Sequence, residues 1–252
     1  MTWATGKHAL ITGAGTGIGA GAARALAAAG ARVSLLGRRP EPLQAVAAQT
    51  GGRAIPCDVT DPEAQARAFA EARDAFGPLD IVILNAGIGD SRPFLRTGRE
   101  TWNAIIATNL TALFDGAQLA LPDLQAAGKR LIIVASVAGL RGGAMAAPYV
   151  ASKHGAVGLT RSLALEFART GLTVNAICPS FVDTPMVDDS AERIAGATGK
   201  SVEEARALLA RTNGNGRLIT VGEVTHAIMQ LCHSDASGTN GACVTIDGGT
   251  SA

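Results

Sequence analysis

The sequence predicts an α/β fold in which a doubly wound parallel sheet of about seven strands carries helices on both faces. Short apolar runs alternate with longer helix-prone segments along nearly all of the 252 residues. A glycine-rich turn at 13–19 joins the first apolar run to an alanine-rich segment. Most polar motifs follow the end of an apolar run, which is the edge of a parallel sheet where ligands bind. We therefore expect one ligand site at that edge.

The bulk composition favours a small-molecule ligand. Apolar residues make up 47% of the chain, charged residues make up 17%, and the formal net charge is +1. This balance provides no basic surface for nucleic acid. No internal repeat, second core or low-complexity linker interrupts the pattern, so we expect a single domain over residues 1–252.

The cysteines and the chain start indicate a cytoplasmic protein. Four cysteines lie far apart, mostly within apolar runs, as is typical of reduced thiols. The N-terminus lacks the charged-then-apolar pattern of a secretion signal. No apolar run approaches the roughly 18 residues of a membrane span, and no metal-ligand spacing occurs. We expect neither a membrane segment nor a metal site.

The first unit is a strand at 7–12, a glycine turn and a helix at 20–29. This order brings unpaired backbone N–H groups and the positive end of a helix to one point, where a phosphate can bind. Glycine allows the phosphate to approach the backbone closely. The turn therefore predicts a dinucleotide site. Its contributing residues are Gly13, Thr16, Gly17, Ile18 and Gly19.

The second strand, at 31–36, is followed directly by Gly37, Arg38 and Arg39. An acidic residue near this point would bind the ribose 2′-hydroxyl of NAD, and none is present. The two arginines supply forked donors suited to a 2′-phosphate, to which the Thr16 hydroxyl can add. We predict NADP(H) as the preferred cofactor. NAD(H) stays open, because arginines after a strand are also common as solvated surface.

Two more strand ends carry polar residues. A strand at 53–56, between helices at 42–48 and 61–76, is closed by Asp58. The helix at 61 starts with an Asp-Pro-Glu sequence, which combines an N-cap residue, a first-turn proline and an early acid. A strand at 79–84 ends in Asn85, Ala86 and Gly87. The glycine and amide suit a close approach to a cofactor, and they equally suit a tight turn.

The middle of the chain predicts a catalytic pair. A long helix at 100–126, interrupted by Pro122, contains Asn109, which is unfavourable inside a helix and therefore suggests a polar role. A strand at 131–136 ends in Ser136. On the next helix, at 148–168, Tyr149 and Lys153 lie at i and i+4 and project from one face. The Lys153 ammonium would lower the pKa of the phenol from its ordinary value near 10.

The last part of the chain predicts a strand at 172–178, a helix at 221–232 and a strand at 242–247. The segment between the first two of these is polar and helix-prone, and glycines interrupt it. An insertion at the rim of the site is a candidate substrate lid. We place this lid at about 186–215.

Together these motifs resemble the short-chain dehydrogenase/reductase family over essentially the whole chain, and look closest to its ketoreductases and hydroxyacyl dehydrogenases. The residues at 12–19 match the family's TGxxxGxG turn, and those at 85–87 match its NAG segment. The resemblance implies a Rossmann-type fold with a tetrad of Asn109, Ser136, Tyr149 and Lys153. It also implies cofactor contacts from Asp58, Val59, Pro179, Val182 and Thr184.

The resemblance implies hydride transfer between NADP(H) and a ketone or secondary alcohol. Ser136 and Tyr149 would hold the carbonyl oxygen, and Tyr149 would protonate it. Lys153 would bind the nicotinamide ribose, and Asn109 would hold a water that returns the proton. A homotetramer or dimer, packed through the helices around Asn109 and Tyr149, is also implied. Two departures from the family, Leu84 and Ser180, lie beside the cofactor region.

The substrate is the least determined part of the prediction. The candidate wall residues are largely apolar, as ligand pockets usually are, and favour a hydrophobic or aromatic ketone. They are Phe94, Leu140, Met145, Ala146, Phe181, Val182 and Met186. Arg141, Arg193 and Lys200 leave open an NAD-dependent 3-hydroxyacyl-CoA-type dehydrogenase. A cofactor-sensing protein without activity is a third alternative, disfavoured because Tyr149 and Lys153 are both present.

Overall fold

Seven parallel strands form one sheet in the structure, a computed structural model that describes residues 2–251. They are β1 (His8–Thr12), β2 (Arg32–Gly37), β3 (Arg53–Pro56), β4 (Ile81–Leu84), β5 (Arg130–Val134), β6 (Thr173–Pro179) and β7 (Cys243–Ile246). The spatial order is β3-β2-β1-β4-β5-β6-β7. The order reverses between β1 and β4, so the chain winds outward from the centre twice. The predicted doubly wound parallel sheet is confirmed.

Helices cover both faces of this sheet. They are α1 (Gly17–Ala28), α2 (Pro40–Thr50), α3 (Pro62–Phe76), α4 (Arg99–Ile106), α5 (Ala112–Leu124), α6 (Ala147–Glu166), α7 (Pro185–Thr198), α8 (Val202–Ala210) and α9 (Val221–Cys232). Neighbouring strand residues point to opposite faces: Leu10 packs in a core with α3, α5 and α6, and Ile11 in a core with α1, α2 and α9. This is the layer arrangement that the alternating sequence predicts.

The predicted start of α3 is confirmed in detail. The Asp61 side chain accepts hydrogen bonds from the backbone N–H groups of Glu63 and Ala64, and Pro62 occupies the first helical turn. These contacts satisfy two of the donors that a helix start leaves unpaired.

The prediction that Pro122 interrupts the helix at 100–126 is wrong. Pro122 lies within α5, two residues before its end, where its missing N–H costs only one helical hydrogen bond. The irregularity is instead a π-helical turn, Ala107–Thr111, between α4 and α5. This turn contains Asn109, and single π-turns inside helices frequently mark functional sites.

The same helical stretch is more apolar than expected, because the sequence predicts no segment that could span a membrane. Arg99–Leu124 is long and apolar enough to cross a membrane by length and composition alone. Its α5 part packs Leu113, Ala117 and Leu124 into the core shared with α3 and α6. Central helices of doubly wound folds are apolar for this reason.

The insertion predicted at about 186–215 is a helical pair made of α7 and α8. Val187, Ala191 and Leu209 belong to a small core of its own. At its base the buried amide of Asn213 accepts a hydrogen bond of 3.2 Å from the Phe181 N–H and donates one of 2.9 Å to the Phe181 carbonyl. The helical pair is therefore fastened to the strand end from which it leaves.

Candidate active site

A cleft of about 750 Å³ runs along the carboxyl ends of the central strands. This size is typical of small-molecule sites. Most residues that the sequence assigns to the site meet here. Those lining the cleft are Gly13, Thr16, Gly17, Ile18, Arg38, Arg39, Asp58, Val59, Asn85, Ala86, Gly87, Ser136, Ala146, Tyr149, Lys153, Pro179, Phe181, Val182, Thr184 and Met186.

The glycine turn forms one end of the cleft and can hold a phosphate. Thr16, the N-cap of α1, makes no capping hydrogen bond with its side chain, so the first N–H groups of this helix stay free for an anion. Gly13 and Gly17 have φ of +65° and +54°, and both line the cleft. Gly19 does not line it. A Cβ at Gly19 would lie 2.3 Å from the Gly13 carbonyl oxygen, so this glycine closes the turn from behind.

Asn85 fastens the turn to the neighbouring strand end. Its side-chain amide donates to the carbonyls of Thr12, at 2.9 Å, and Gly13, at 3.2 Å. The Thr12 hydroxyl accepts from the N–H groups of Asn85 and Ala86 at 2.9 and 3.0 Å. These bonds fasten the segment to the glycine turn, residues 85–87 themselves form no hydrogen-bonded turn, and Gly87 lines the cleft.

Two arginines stand at the adenosine end. Arg38 and Arg39 are exposed and line the cleft, and within residues 2–251 neither has a carboxylate within 4.0 Å. Hydrogen bonds from the N–H and hydroxyl of Thr60 lower the pKa of Asp58, and the charge of Arg38 adds to the shift. This end thus offers unpaired guanidinium groups beside an ionised carboxylate. The glycine cradle and these groups fit a dinucleotide.

Ser136 lies two residues beyond β5. It is the N-cap of a short turn, Val137–Gly139, and its hydroxyl accepts from the Ala138 N–H at 3.1 Å. The hydroxyl also donates to the Pro179 carbonyl at 3.3 Å. These contacts hold the side chain at the cleft wall, facing Tyr149 on α6.

Lys153 lies below Tyr149 and is only 4% exposed. Its Nζ donates to the Val134 carbonyl at 2.8 Å and lies 5.7 Å from the centre of the Tyr149 ring. Burial lowers the pKa of Lys153 to about 8. The predicted i, i+4 proximity is thus present.

The sequence predicts a lowered pKa for Tyr149, whereas in the structure the pKa of Tyr149 is raised. Burial raises the pKa of this phenol, and a hydrogen bond with Ser136 opposes the rise. Desolvation of the phenolate is the dominant cause of this shift.

Asn109 is fully buried and lies behind the cleft floor. Its side chain bonds to both backbone groups of Ile88, each at 2.9 Å. A Cβ at Gly87 would lie 3.4 Å from Asn109 Oδ1 and 3.7 Å from Lys153 Nζ. Asn109 Oδ1 and Lys153 Nζ therefore both lie close to the backbone of Gly87.

Three predicted substrate residues lie outside the cleft. Phe94 and Met145 are 70% and 57% exposed, and Leu140 also faces solvent. Phe94 belongs to a short turn, Phe94–Arg96, outside the rim. At Met145 the backbone carbonyl accepts from the Arg92 N–H at 2.8 Å, and φ is +59°. Apolar character alone does not distinguish a cleft wall from an exposed rim.

Polar residues that the sequence motifs do not assign to the site also line the cleft. Of the three basic residues considered for coenzyme A, Arg141 and Arg193 line the cleft and Lys200 does not. Ser190 also lines it. The spacing of Met186, Ser190 and Arg193 at i, i+4 and i+7 is a signal that would have identified this wall. Within residues 2–251 no group of three or more His, Cys, Asp or Glu side chains is placed to hold a metal ion.

A sequence model of the short chain dehydrogenase family matches residues 7–195. A protein of Streptomyces violaceoruber, assigned as ketoacyl reductase 1 of granaticin polyketide synthase, is 40% identical over 96% of this chain and 92% of its own. D-beta-hydroxybutyrate dehydrogenase of Rhizobium meliloti (strain 1021) is 36% identical, with 98% and 99% covered.

Two solved structures have nearly the same backbone. Levodione reductase superposes with a TM-score of 0.91 at 32% identity, and the match covers 97% of each chain. A variant of actinorhodin polyketide ketoreductase crystallised with NADPH superposes with a TM-score of 0.92 at 32% identity, again over 97% of each chain. Both matches extend over the sheet, the cleft and the helical pair.

Proposed function

The chain belongs to the short-chain dehydrogenase family and is an oxidoreductase, and we propose that it reduces a hydrophobic or aromatic ketone to a secondary alcohol with NADPH. One observation carries this proposal: Ser136, Tyr149 and Lys153 share a single cleft with an anion-ready glycine turn. The relatives described as ketoacyl and levodione reductases support a ketone as substrate.

In the proposed mechanism the Ser136 hydroxyl turns from the Pro179 carbonyl to the ketone oxygen, and the Tyr149 hydroxyl donates to the same oxygen. Their hydroxyl groups stabilise negative charge on that oxygen, as an oxyanion hole does. NADPH, when bound, supplies the hydride that the carbonyl carbon accepts. Tyr149 gives its proton to the oxygen, so the ketone gains one hydride and one proton in total. The raised pKa of Tyr149 means that the phenol is protonated at neutral pH, and its donation depends on stabilisation of the phenolate that forms.

Lys153 and Asn109 restore the proton on Tyr149. The Lys153 ammonium, 5.7 Å from the ring, stabilises the phenolate after transfer. Lys153 would also hold the nicotinamide ribose. A water between Asn109 and Lys153, which both lie close to Gly87, would return the proton. Pro179, Val182 and Thr184, which line the cleft, would hold the nicotinamide.

Preference for NADPH rests on Arg38. Its guanidinium lines the cleft directly after β2 and pairs with no acid within residues 2–251. The ketoreductase crystallised with NADPH supports the same choice. Arg39 adds a second donor at the start of α2.

The pair α7 and α8 acts as the substrate lid. Met186 and Phe181 line the cleft. The hydrogen bonds between Asn213 and Phe181 fix the base of this helical pair. We place the substrate between Met186, Phe181 and Ala146.

The proposed assembly is a homotetramer or dimer in the cytoplasm. Leu165 on α6 is 81% exposed and Phe114 on α5 is half-exposed. These helices flank Asn109 and Tyr149, so an interface there would cover apolar surface.

An NAD-dependent 3-hydroxyacyl-CoA-type dehydrogenase is the second candidate function. It is favoured by the two arginines in the substrate half of the cleft and by the relative named D-beta-hydroxybutyrate dehydrogenase.

The decisive experiment combines a ketone panel with the variant Tyr149→Phe. Wild type should oxidise NADPH in the presence of apolar ketones. Loss of the acid group should lower kcat by about 100-fold or more, while the Kd of NADPH stays within about threefold. Near-normal turnover of the variant would remove the mechanism. An inactive wild type that still binds NADPH would favour the cofactor-sensing alternative.

A further inference from the structure

We propose, building on the ketone reduction proposed above, that the substrate carries an anionic group at the end remote from its ketone, and that Arg141 and Arg193 bind this group at the cleft mouth. The anionic group is a carboxylate or a phosphate, because both accept the forked hydrogen bonds of guanidinium.

The α7 residues that line the cleft change from apolar to cationic along the helix. Met186, Ser190 and Arg193 lie on one helix face, and all three line the cleft. Seven residues of helix span about 10 Å. The Arg193 guanidinium donates to the Ser190 hydroxyl at 2.9 Å, and that hydroxyl donates to the Met186 carbonyl at 2.8 Å. This chain of hydrogen bonds holds the guanidinium against the cleft face of the helix.

The opposite wall of the cleft, which follows β5, also ends in an arginine. Arg141 follows the short turn that begins at Ser136, and its backbone N–H bonds to the Val137 carbonyl at 3.1 Å. Its side chain lines the cleft. Both walls that leave the proposed reaction centre therefore reach solvent at a guanidinium.

The neighbouring acids do not neutralise these two arginines. Asp90, which lines the cleft, pairs with Arg92 at 2.6 Å. Arg206 on α8 pairs with both Asp183 and Asp188 at the start of α7.

The other acidic residues near Arg141 and Arg193 form no ion pair with either arginine. Asp247, which is electrostatically coupled to Arg141, accepts from the Gly249 N–H at 2.9 Å. Arg193 bonds to Ser190 and forms no ion pair with Asp189, one turn earlier. In the part of the chain that the structure describes, neither Arg141 nor Arg193 has a carboxylate within 4.0 Å. Both guanidinium groups therefore keep hydrogen-bond donors for an anion at the cleft mouth.

The test uses matched pairs of substrates. One pair is 8-oxononanoate and its methyl ester, which differ only in the terminal charge. The other is acetoacetyl-coenzyme A and the uncharged acetoacetyl-N-acetylcysteamine. We would measure kcat/KM for each in wild type, Arg141→Gln and Arg193→Gln. The control is Arg211→Gln, because Arg211 is an exposed lid arginine outside the cleft.

Wild type should prefer at least one charged member by about tenfold or more, through a lower KM. Either cleft variant should lose that preference while the neutral partner changes less than about twofold, and Arg211→Gln should behave as wild type. Preference within the first pair identifies a carboxylate, and within the second a phosphate. Equal rates on charged and neutral members, unchanged in the variants, would overturn the anionic site and leave ketone reduction standing. Reduction of none of the ketones would overturn both.

Discussion

The Asn109 side-chain amide donates a hydrogen bond of 3.2 Å to the Ser152 hydroxyl, and that hydroxyl donates one of 2.7 Å to the Tyr149 carbonyl. Both side chains are fully buried. Ser152 therefore connects the π-helical turn to the backbone that carries the proposed acid. No sequence motif singled out Ser152, because a serine inside a helix ordinarily bonds only to its own preceding turn.

We expect Ser152→Ala to lower kcat by about tenfold. The substitution leaves an Asn109 amide hydrogen unpaired in a buried place and removes a contact that orients Tyr149; a lost hydrogen bond of this kind costs about 1–3 kcal/mol. The KM of NADPH should stay near wild type, and the apparent pKa in the kcat–pH profile should shift.

Thr160→Val is the matched control for Ser152→Ala. Thr160 is equally buried on α6 and donates to the Ala156 carbonyl at 2.8 Å, and it contacts no tetrad residue by hydrogen bond. This variant should keep the wild-type kcat and pH profile. If both variants lose activity alike, Ser152 acts only through helix stability.

Arg38→Asp should reverse the cofactor preference. Loss of the guanidinium removes a charge-assisted contact worth about 1.5–3 kcal/mol, and the new carboxylate repels a 2′-phosphate. We expect kcat/KM with NADPH to fall by about tenfold to 100-fold and kcat/KM with NADH to hold or rise. Arg24→Asp, at an exposed position of α1 that bonds to Gln49, should change neither. A wild type that prefers NADH would contradict the assignment.

Lys153 should make stability rise with pH in the alkaline range. Burial lowers its pKa from 10.5 to about 8 in the folded protein. Below about pH 8 both states hold the proton, and between pH 8 and 10.5 only the unfolded state does. Stability contributed by this group therefore increases across that window, by about 3 kcal/mol in total.

Urea unfolding of wild type and Lys153→Met across pH 7 to 10.5 tests this sign. The difference in unfolding free energy, wild type minus variant, should grow with pH, because the other titrating groups are common to both proteins. A difference that stays constant would mean that the folded protein accommodates the charged ammonium without cost.

Gly19→Ala should destabilise the protein and weaken NADPH binding. The added methyl group would lie 2.3 Å from the Gly13 carbonyl oxygen and 2.6 Å from the Asn85 amide, and such overpacking costs about 1–3 kcal/mol. Gly196→Ala on α7 is the control, since a Cβ there meets no atom within 4 Å. That substitution should raise Tm slightly, because alanine favours helix by about 0.5–1 kcal/mol. Equal Tm values for both variants would refute the role given to Gly19.

Local chemistry explains why most residues that the sequence assigns to the cofactor line one cleft. The glycine turn, Arg38 and Asn85 each follow a strand directly, and the ends of parallel strands meet by the geometry of the fold. Of the residues that the sequence assigns to the substrate, fewer line the cleft. Phe94 and Met145 are apolar and face solvent, whereas Ser190 is polar and lines the cleft.

The sequence by itself determined the parallel sheet, the glycine cradle and the spacing of Ser136, Tyr149 and Lys153. These depend on periodicity, backbone freedom and distance along one helix. Only the tertiary structure decided that Asn109 lies in a π-turn bonded to Ser152, that Tyr149 has a raised pKa, and that the two cleft-mouth arginines lack acidic partners. Such properties depend on desolvation and on contacts between residues far apart in the chain, which no local pattern records.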